Sequence, residues 1–113
     1  MTTDSFGDVL LLPFPFTNQA AVKKRPAVAI GSADYHRVYA DVMVMALTSQ
    51  VSRLVLLGEL VVQNWPGAGL LKPSLVKPVV ATVQKSLVLR RLGRLQAVDR
   101  DALSRVLPTI LGL

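Results

Sequence analysis

The stretch Gly7–Ile30, GDVLLLPFPFTNQAAVKKRPAVAI, decides how the chain is read. Two apolar runs, Val9 to Leu12 and Ala27 to Ile30, flank a polar insert that ends in Lys23, Lys24 and Arg25 followed by Pro26, the pattern of strand, exposed loop and strand. Three adjacent cations are costly to bury without partners, so they mark the exposed end of the loop. Pro26 fixes its own φ and biases Arg25 towards extended backbone, which aims a guanidinium at the mouth of the second strand.

Composition narrows what this hairpin can belong to. The chain has 113 residues, enough for one domain over 1–113 with its own core and too few for two. Apolar residues make up 51%, which hints at a further apolar face covered by a partner. The formal net charge of +6 makes a polyanion the natural ligand class; the alternative is that the charge only keeps an apolar protein soluble. Without cysteine there is no disulfide, thiol nucleophile or Cys-based metal site, and with His36 as the single histidine neither a zinc centre nor a His-pair nuclease is expected. The start carries no basic leader, and no stretch approaches the roughly 18 apolar residues that span a bilayer. The chain is read as soluble and cytoplasmic, with no membrane contact.

Outward from the hairpin, Phe6 to Leu12 reads as the first strand, ended by Pro13 and Pro15, which cannot donate to a ladder. Phe14 and Phe16 read as core or hairpin packing, with stacking on a base as the alternative for Phe16. Thr17 to Val22 forms the loop tip, where Asn18 and Gln19 offer turn geometry and amide donors. Gly31 to Arg37 is a polar connection, and its His36 is read as solvated, since no orienting carboxylate lies near it in sequence. Tyr39 to Leu47 is a third strand buried on both faces. Thr48, Ser49 and Gln50 close it, and on the residues alone they are turn hydroxyls and an amide at a strand end.

Leu54 to Leu57 and Leu60 to Val62 read as one strand interrupted at Gly58-Glu59. Trp65 is a core lid or dimer contact, and Pro66-Gly67 signals a turn. Leu75 to Val83 is a strand whose Pro78 argues for an edge or a bulge. Arg90, Arg91 and Arg94 are either a solvated face or a contact to RNA or a protein partner. Asp99 is placed as the cap of a final helix with Leu103, Val106, Leu107, Ile110 and Leu111 on its apolar face, kinked or shortened by Pro108. The sum is mainly β, a small barrel with a C-terminal helix.

The opening G-D-V, the F-P-F-T turn and the K-K-R-P-A-V-A-I strand resemble the first hairpin of the PemK/MazF toxins, the ribonuclease half of bacterial type II toxin-antitoxin pairs. Ala46-Leu47-Thr48-Ser49-Gln50 is similar to that family's third-strand motif, and Gly93-Arg94-Leu95 before a short helix to its C-terminal signature. The resemblance implies an SH3-like barrel, usually a homodimer, with Arg25 and Thr48 as the catalytic pair. It implies metal-independent, sequence-specific cleavage of single-stranded RNA that leaves a 2′,3′-cyclic phosphate and a 5′-hydroxyl and stops translation and growth. It implies no metal or cofactor, and a cognate antitoxin as protein partner.

The loop residues Phe16, Thr17, Asn18, Gln19, Lys23 and Lys24 would then clasp the substrate, with Ser49 and Gln50 beside the threonine. In chemical terms Arg25 offers a fork of donors for two phosphate oxygens and is a poor base, while Thr48 can hydrogen-bond the 2′-hydroxyl or a phosphate oxygen. The chain departs from the family pattern in a hairpin loop without glycine or an acidic residue, and in Pro78-Val79-Val80-Ala81-Thr82 where relatives carry a polar stretch. Two other functions fit the residues: a barrel toxin that poisons a protein such as DNA gyrase, and a basic nucleic-acid-binding module without activity.

Overall fold

Strand formation follows an alternation that sorts side chains onto two sides of one sheet. In the computed structural model, which describes residues 4–15, 23–51 and 54–113, the strands are β1 (Asp8–Phe14), β2 (Lys23–Ala29), β3 (Asp41–Thr48), β4 (Leu60–Val61), β5 (Leu75–Gln84) and β6 (Arg90–Arg94). Helix α1 (Ala33–Val38) joins β2 to β3, and α2 (Ala97–Leu111) follows β6. All ladders are antiparallel, in the order β4-β5-β3-β2-β1-β6. The sheet curls into a half-barrel with β4 and β6 as its edges, the mainly β small-barrel architecture with a C-terminal helix.

Successive residues of the central strands enter different cores. Val9, Val28, Met45 and Leu47 pack on one side with Leu95 and Leu103, beneath Val106, Leu107 and Ile110 of α2. Leu10, Ala27, Ala29, Val44 and Ala46 pack on the other, with Leu12, Phe14, Val42 and Val83. Period-two alternation with apolar residues on both faces yields strands buried on both sides, and each buried Val, Leu, Phe or Met contributes roughly 1.5–3 kcal/mol.

Several expectations are corrected. β1 runs two residues further than expected and contains Pro13. Leu11 turns its carbonyl to Leu89 N–H, away from β2; Pro13, two residues on, has the same orientation, and the β1–β6 pairing ends at Leu11 and Arg90, so the missing N–H breaks no ladder bond. Residues 31–37 are not a plain connection, because Ser32 accepts the N–H of Tyr35 and caps α1. Leu54–Leu57 form no strand and are exposed; only Leu60 and Val61 pair, with Val76 and Leu75.

The register of β3 against β5 slips between Met45 and Leu47, opposite the segment that carries Pro78, so that proline sits at a bulge. Pro108 does not stop α2, which runs to Leu111 and closes on Gly112 at φ 74°. Leu111 is about half exposed and does not belong to the helix's packed face. No helix among the described residues is long and apolar enough to cross a membrane.

Candidate functional site

β2 changes character along its length: Lys23, Lys24 and Arg25 are exposed, Pro26 is half-buried, and Ala27 to Ala29 are buried. The strand leaves the core at Pro26. Its pairing with β3 ends at Ala27 and Ala46, and Arg25 and Thr48 each lie two residues beyond that last pair. Both line a pocket of about 390 Å³, together with Ser49. Thr48 is half-buried, and its Oγ1 accepts the N–H of Gln50 at 3.2 Å, an ordinary hydroxyl turn. That contact engages one lone pair and leaves the O–H free to donate.

The pocket walls are apolar, with Leu11, Pro26, Leu47, Leu70 and Leu92 among them, and three cations stand on them: Arg25, Lys72 and Arg90. No carboxylate lines it among the described residues. Lys72 is a lining residue that the sequence reading did not single out, and Arg90, left there between a solvated face and a contact to RNA or a protein partner, lines the pocket. A period-two count along β6 holds the signal for Arg90, because Arg90 and Leu92 share a face while Arg91 points the other way. Arg91 and Arg94 lie 3.4 Å and 3.7 Å from Oδ1 of the buried Asp8, whose Oδ2 accepts the N–H of Ser5. Arg90, Lys72 and Arg25 form no ion pair among the described residues.

Lys72 reaches the site through a close backbone approach. Residues 63–69 form a turn, and Gly69 adopts φ +84°, with space for a Cβ blocked by the Leu92 carbonyl oxygen at 2.1 Å. Gly93 faces the Ala68 carbonyl in the same way, at 2.3 Å. Two glycines therefore let the turn lie on β6 and bring Leu70 and Lys72 alongside Leu92 and Arg90. The first turn of α2 holds the other end: Asp99, nearly fully buried, accepts the N–H groups of Gln63 and Asn64 at 2.8 and 2.9 Å. Gln96 donates from Nε2 to the Gly67 carbonyl at 2.9 Å. Asp99 thus anchors a loop instead of capping α2, whose N-cap is Gln96 without a side-chain bond.

The other expected site residues are placed as follows. Lys23 and Lys24 are exposed and lie opposite Phe14 and Pro13, beyond the pocket lining. Gln50 is exposed and touches Thr48 through its backbone. Phe16, Thr17, Asn18 and Gln19 lie outside the described residues. Trp65 packs, half-buried, against the core under α2. His36 is fully buried rather than solvated: its Nε2 accepts the N–H of Met43 at 3.3 Å, so Nδ1 carries the hydrogen and donates to the Asp4 carbonyl at 2.9 Å. It is a structural bridge between the first residues, α1 and β3. No three His, Cys, Asp or Glu side chains gather into a metal-binding group among the described residues.

The sequence profile described as "PemK-like, MazF-like toxin of type II toxin-antitoxin system" matches residues 5–111. No curated protein sequence matches. Among solved structures, an endoribonuclease in complex with its cognate antitoxin, from a mycobacterial species, superposes with a TM-score of 0.76 at 19% identity, covering 100% of this chain and 97% of that one. The Mycobacterium tuberculosis toxin MazF-mt6 gives 0.76 at 21%, covering 94% and 97%. A MazE-MazF structure from Deinococcus radiodurans gives 0.75 at 19%, covering 98% of each chain. At these identities the superpositions speak to the fold.

Proposed function

The chain belongs to the PemK-like, MazF-like toxins of type II toxin-antitoxin systems, and on that footing we propose that it is a metal-independent endoribonuclease that cuts single-stranded RNA at a specific sequence. The observation that supports this reading best is that Arg25 and Thr48 line one cationic pocket to which no carboxylate contributes among the described residues. The 2′-hydroxyl oxygen attacks phosphorus, its proton leaves, and the P–O5′ bond breaks with a proton arriving on the 5′ oxygen. The products are a 2′,3′-cyclic phosphate and a 5′-hydroxyl.

Arg25 binds the non-bridging oxygens through its guanidinium fork and stabilises the added charge of the phosphorane. Thr48, its oxygen held by the Gln50 N–H, donates to the attacking or a non-bridging oxygen. Ser49 adds a second hydroxyl. With no carboxylate or imidazole in the lining among the described residues, acceleration rests mainly on charge stabilisation and on alignment of the 2′-oxygen with the leaving oxygen. Lys23 and Lys24 act at a distance by attracting the backbone, so binding weakens with salt.

The partner in this reading is a cognate antitoxin covering the cationic pocket, and the active species is a cytoplasmic homodimer of one toxin domain over 1–113. The solved complexes of similar toxins with antitoxins and the exposed apolar Leu54–Leu57 segment support it. The test is incubation of the purified chain with a long RNA in EDTA, with 5′-hydroxyl ends mapped by sequencing. Ends at one recurrent sequence, lost in Arg25→Ala and Thr48→Ala, are expected. Intact RNA with growth arrest in both variants would select a protein target instead.

A further inference from the structure

We propose that Arg90 and Lys72 form a second phosphate subsite, so that the RNA strand cut between Arg25 and Thr48 continues across β1 onto β6. This deepens the ribonuclease reading and rests on it. The first support is the contrast within β6. Arg91 and Arg94 are tied to Asp8, whereas Arg90, on the alternate face with Leu92, enters the pocket unpaired among the described residues.

The second support is register. Leu11 pairs with Pro26 on one side and with Arg90 on the other, so the backbones that carry Arg25 and Arg90 are two strand spacings apart, roughly 10 Å. Between them lies an apolar floor that includes Leu11 and Leu92. Two cationic stations separated by an apolar floor match a chain of phosphates with a base laid between them; a single anion would need one station only.

The third support is how Lys72 is held. The turn that carries it is fixed by the Gly69–Leu92 and Gly93–Ala68 backbone approaches, and Ser74 Oγ donates to the Lys72 carbonyl at 2.8 Å. The lysine stem therefore starts from a defined position beside Arg90. Its ammonium adds a point charge to Arg90's planar fork.

The experiment compares the wild type with Arg90→Ala, Lys72→Ala and Arg90→Lys. Binding of a 2′-O-methyl oligonucleotide spanning the mapped cleavage site is followed by anisotropy over a salt series, and cleavage is followed on the unmodified oligonucleotide. Each alanine variant is expected to lower the slope of log Kd against log salt by about 0.7 and to weaken binding about tenfold at low salt. The loss should fall on KM and not on kcat, and Arg90→Lys should recover the slope. A wild-type slope and affinity in Arg90→Ala, with the wild type cleaving normally, would overturn this inference alone. A kcat loss in Arg90→Ala as large as that in Arg25→Ala would also overturn it, since Arg90 would then act at the scissile phosphate. A wild-type protein that cuts no RNA would bring down both readings.

Discussion

Arg25 and Thr48 each lie two residues beyond the last β2–β3 pair, Ala27 and Ala46, on adjacent antiparallel strands, and both line one pocket. The β2–β3 pairing stops where Pro26 ends the buried stretch of β2, so both residues lie past the paired ladder. Under the proposed ribonuclease reading, the Thr48 hydroxyl and not its methyl group is the working part. Thr48→Ser is expected to keep cleavage within about tenfold, and isosteric Thr48→Val to lose about 10²-fold or more. Equal rates for the two variants, measured under single-turnover conditions, would remove the hydroxyl from the chemistry.

Asp99 is a non-local polar anchor near the site. Its buried carboxylate accepts two backbone N–H groups from a loop 35 and 36 positions away in sequence. Asp99→Ala leaves both donors without their acceptor and is expected to cost about 2–3 kcal/mol, read as a fall in urea midpoint at unchanged m-value. Because the same loop carries Leu70 and Lys72 to the pocket, RNA affinity should fall in the variant as well. An unchanged midpoint would show that the loop is held by other contacts.

Gly93 belongs to the Gly93-Arg94-Leu95 motif, and its role is spatial. A Cβ there would lie 2.3 Å from the Ala68 carbonyl oxygen, a backbone atom that moves only with the turn. Gly93→Ala is therefore expected to destabilise by on the order of 3 kcal/mol, with weakened RNA binding because the Lys72 segment is displaced. Thermal unfolding within a degree or two of the wild type would contradict the close approach.

Burial, with help from the nearby Asp8 carboxylate, holds the Asp4 carboxyl above its usual 3.8, against opposing contributions from His36, Lys85 and Arg91. A raised folded value means that the native state holds this proton more tightly than the unfolded chain. Its stabilising contribution is complete below the ordinary carboxylate value and is lost as pH rises through the folded value. At pH 7 the Asp4 charge thus works against the fold. Asp4→Asn should raise Tm at pH 7, with the gain vanishing as pH falls below about 4; a gain that grows in acid would reverse the sign. The Asp4 carbonyl that receives His36 Nδ1 is retained in the variant.

The parts of this architecture that were legible in the sequence are those written in local alternation. Val9–Leu12 and Ala27–Ile30 read directly as strands, Tyr39–Leu47 as a strand buried on both faces, and Leu103, Val106, Leu107 and Ile110, though not Leu111, fall on the packed face expected for the last helix. Arg25 was legible because Pro26 marks where the strand leaves the core. What stayed hidden depends on distant partners. His36 reads as solvated until Asp4 and Met43 supply its two hydrogen bonds, and Asp99 reads as a helix cap until Gln63 and Asn64 claim its oxygens. Lys72 and Arg90 lie in separate segments, and the Gly69–Leu92 and Gly93–Ala68 contacts join them. Leu54–Leu57 have the composition of a strand but are exposed and form none among the described residues.

The central claim is that Arg25 and Thr48 act on one scissile phosphate. Single-turnover cleavage of an oligonucleotide spanning the mapped site, by the wild type, Arg25→Ala, Thr48→Ala and the double variant, tests it directly. Each single change is expected to slow the reaction about 10²-fold to 10³-fold, with the double variant little slower than the worse single one, as for residues that work as a unit. Losses that multiply fully in the double variant, or a wild-type rate in either single variant, would contradict the claim.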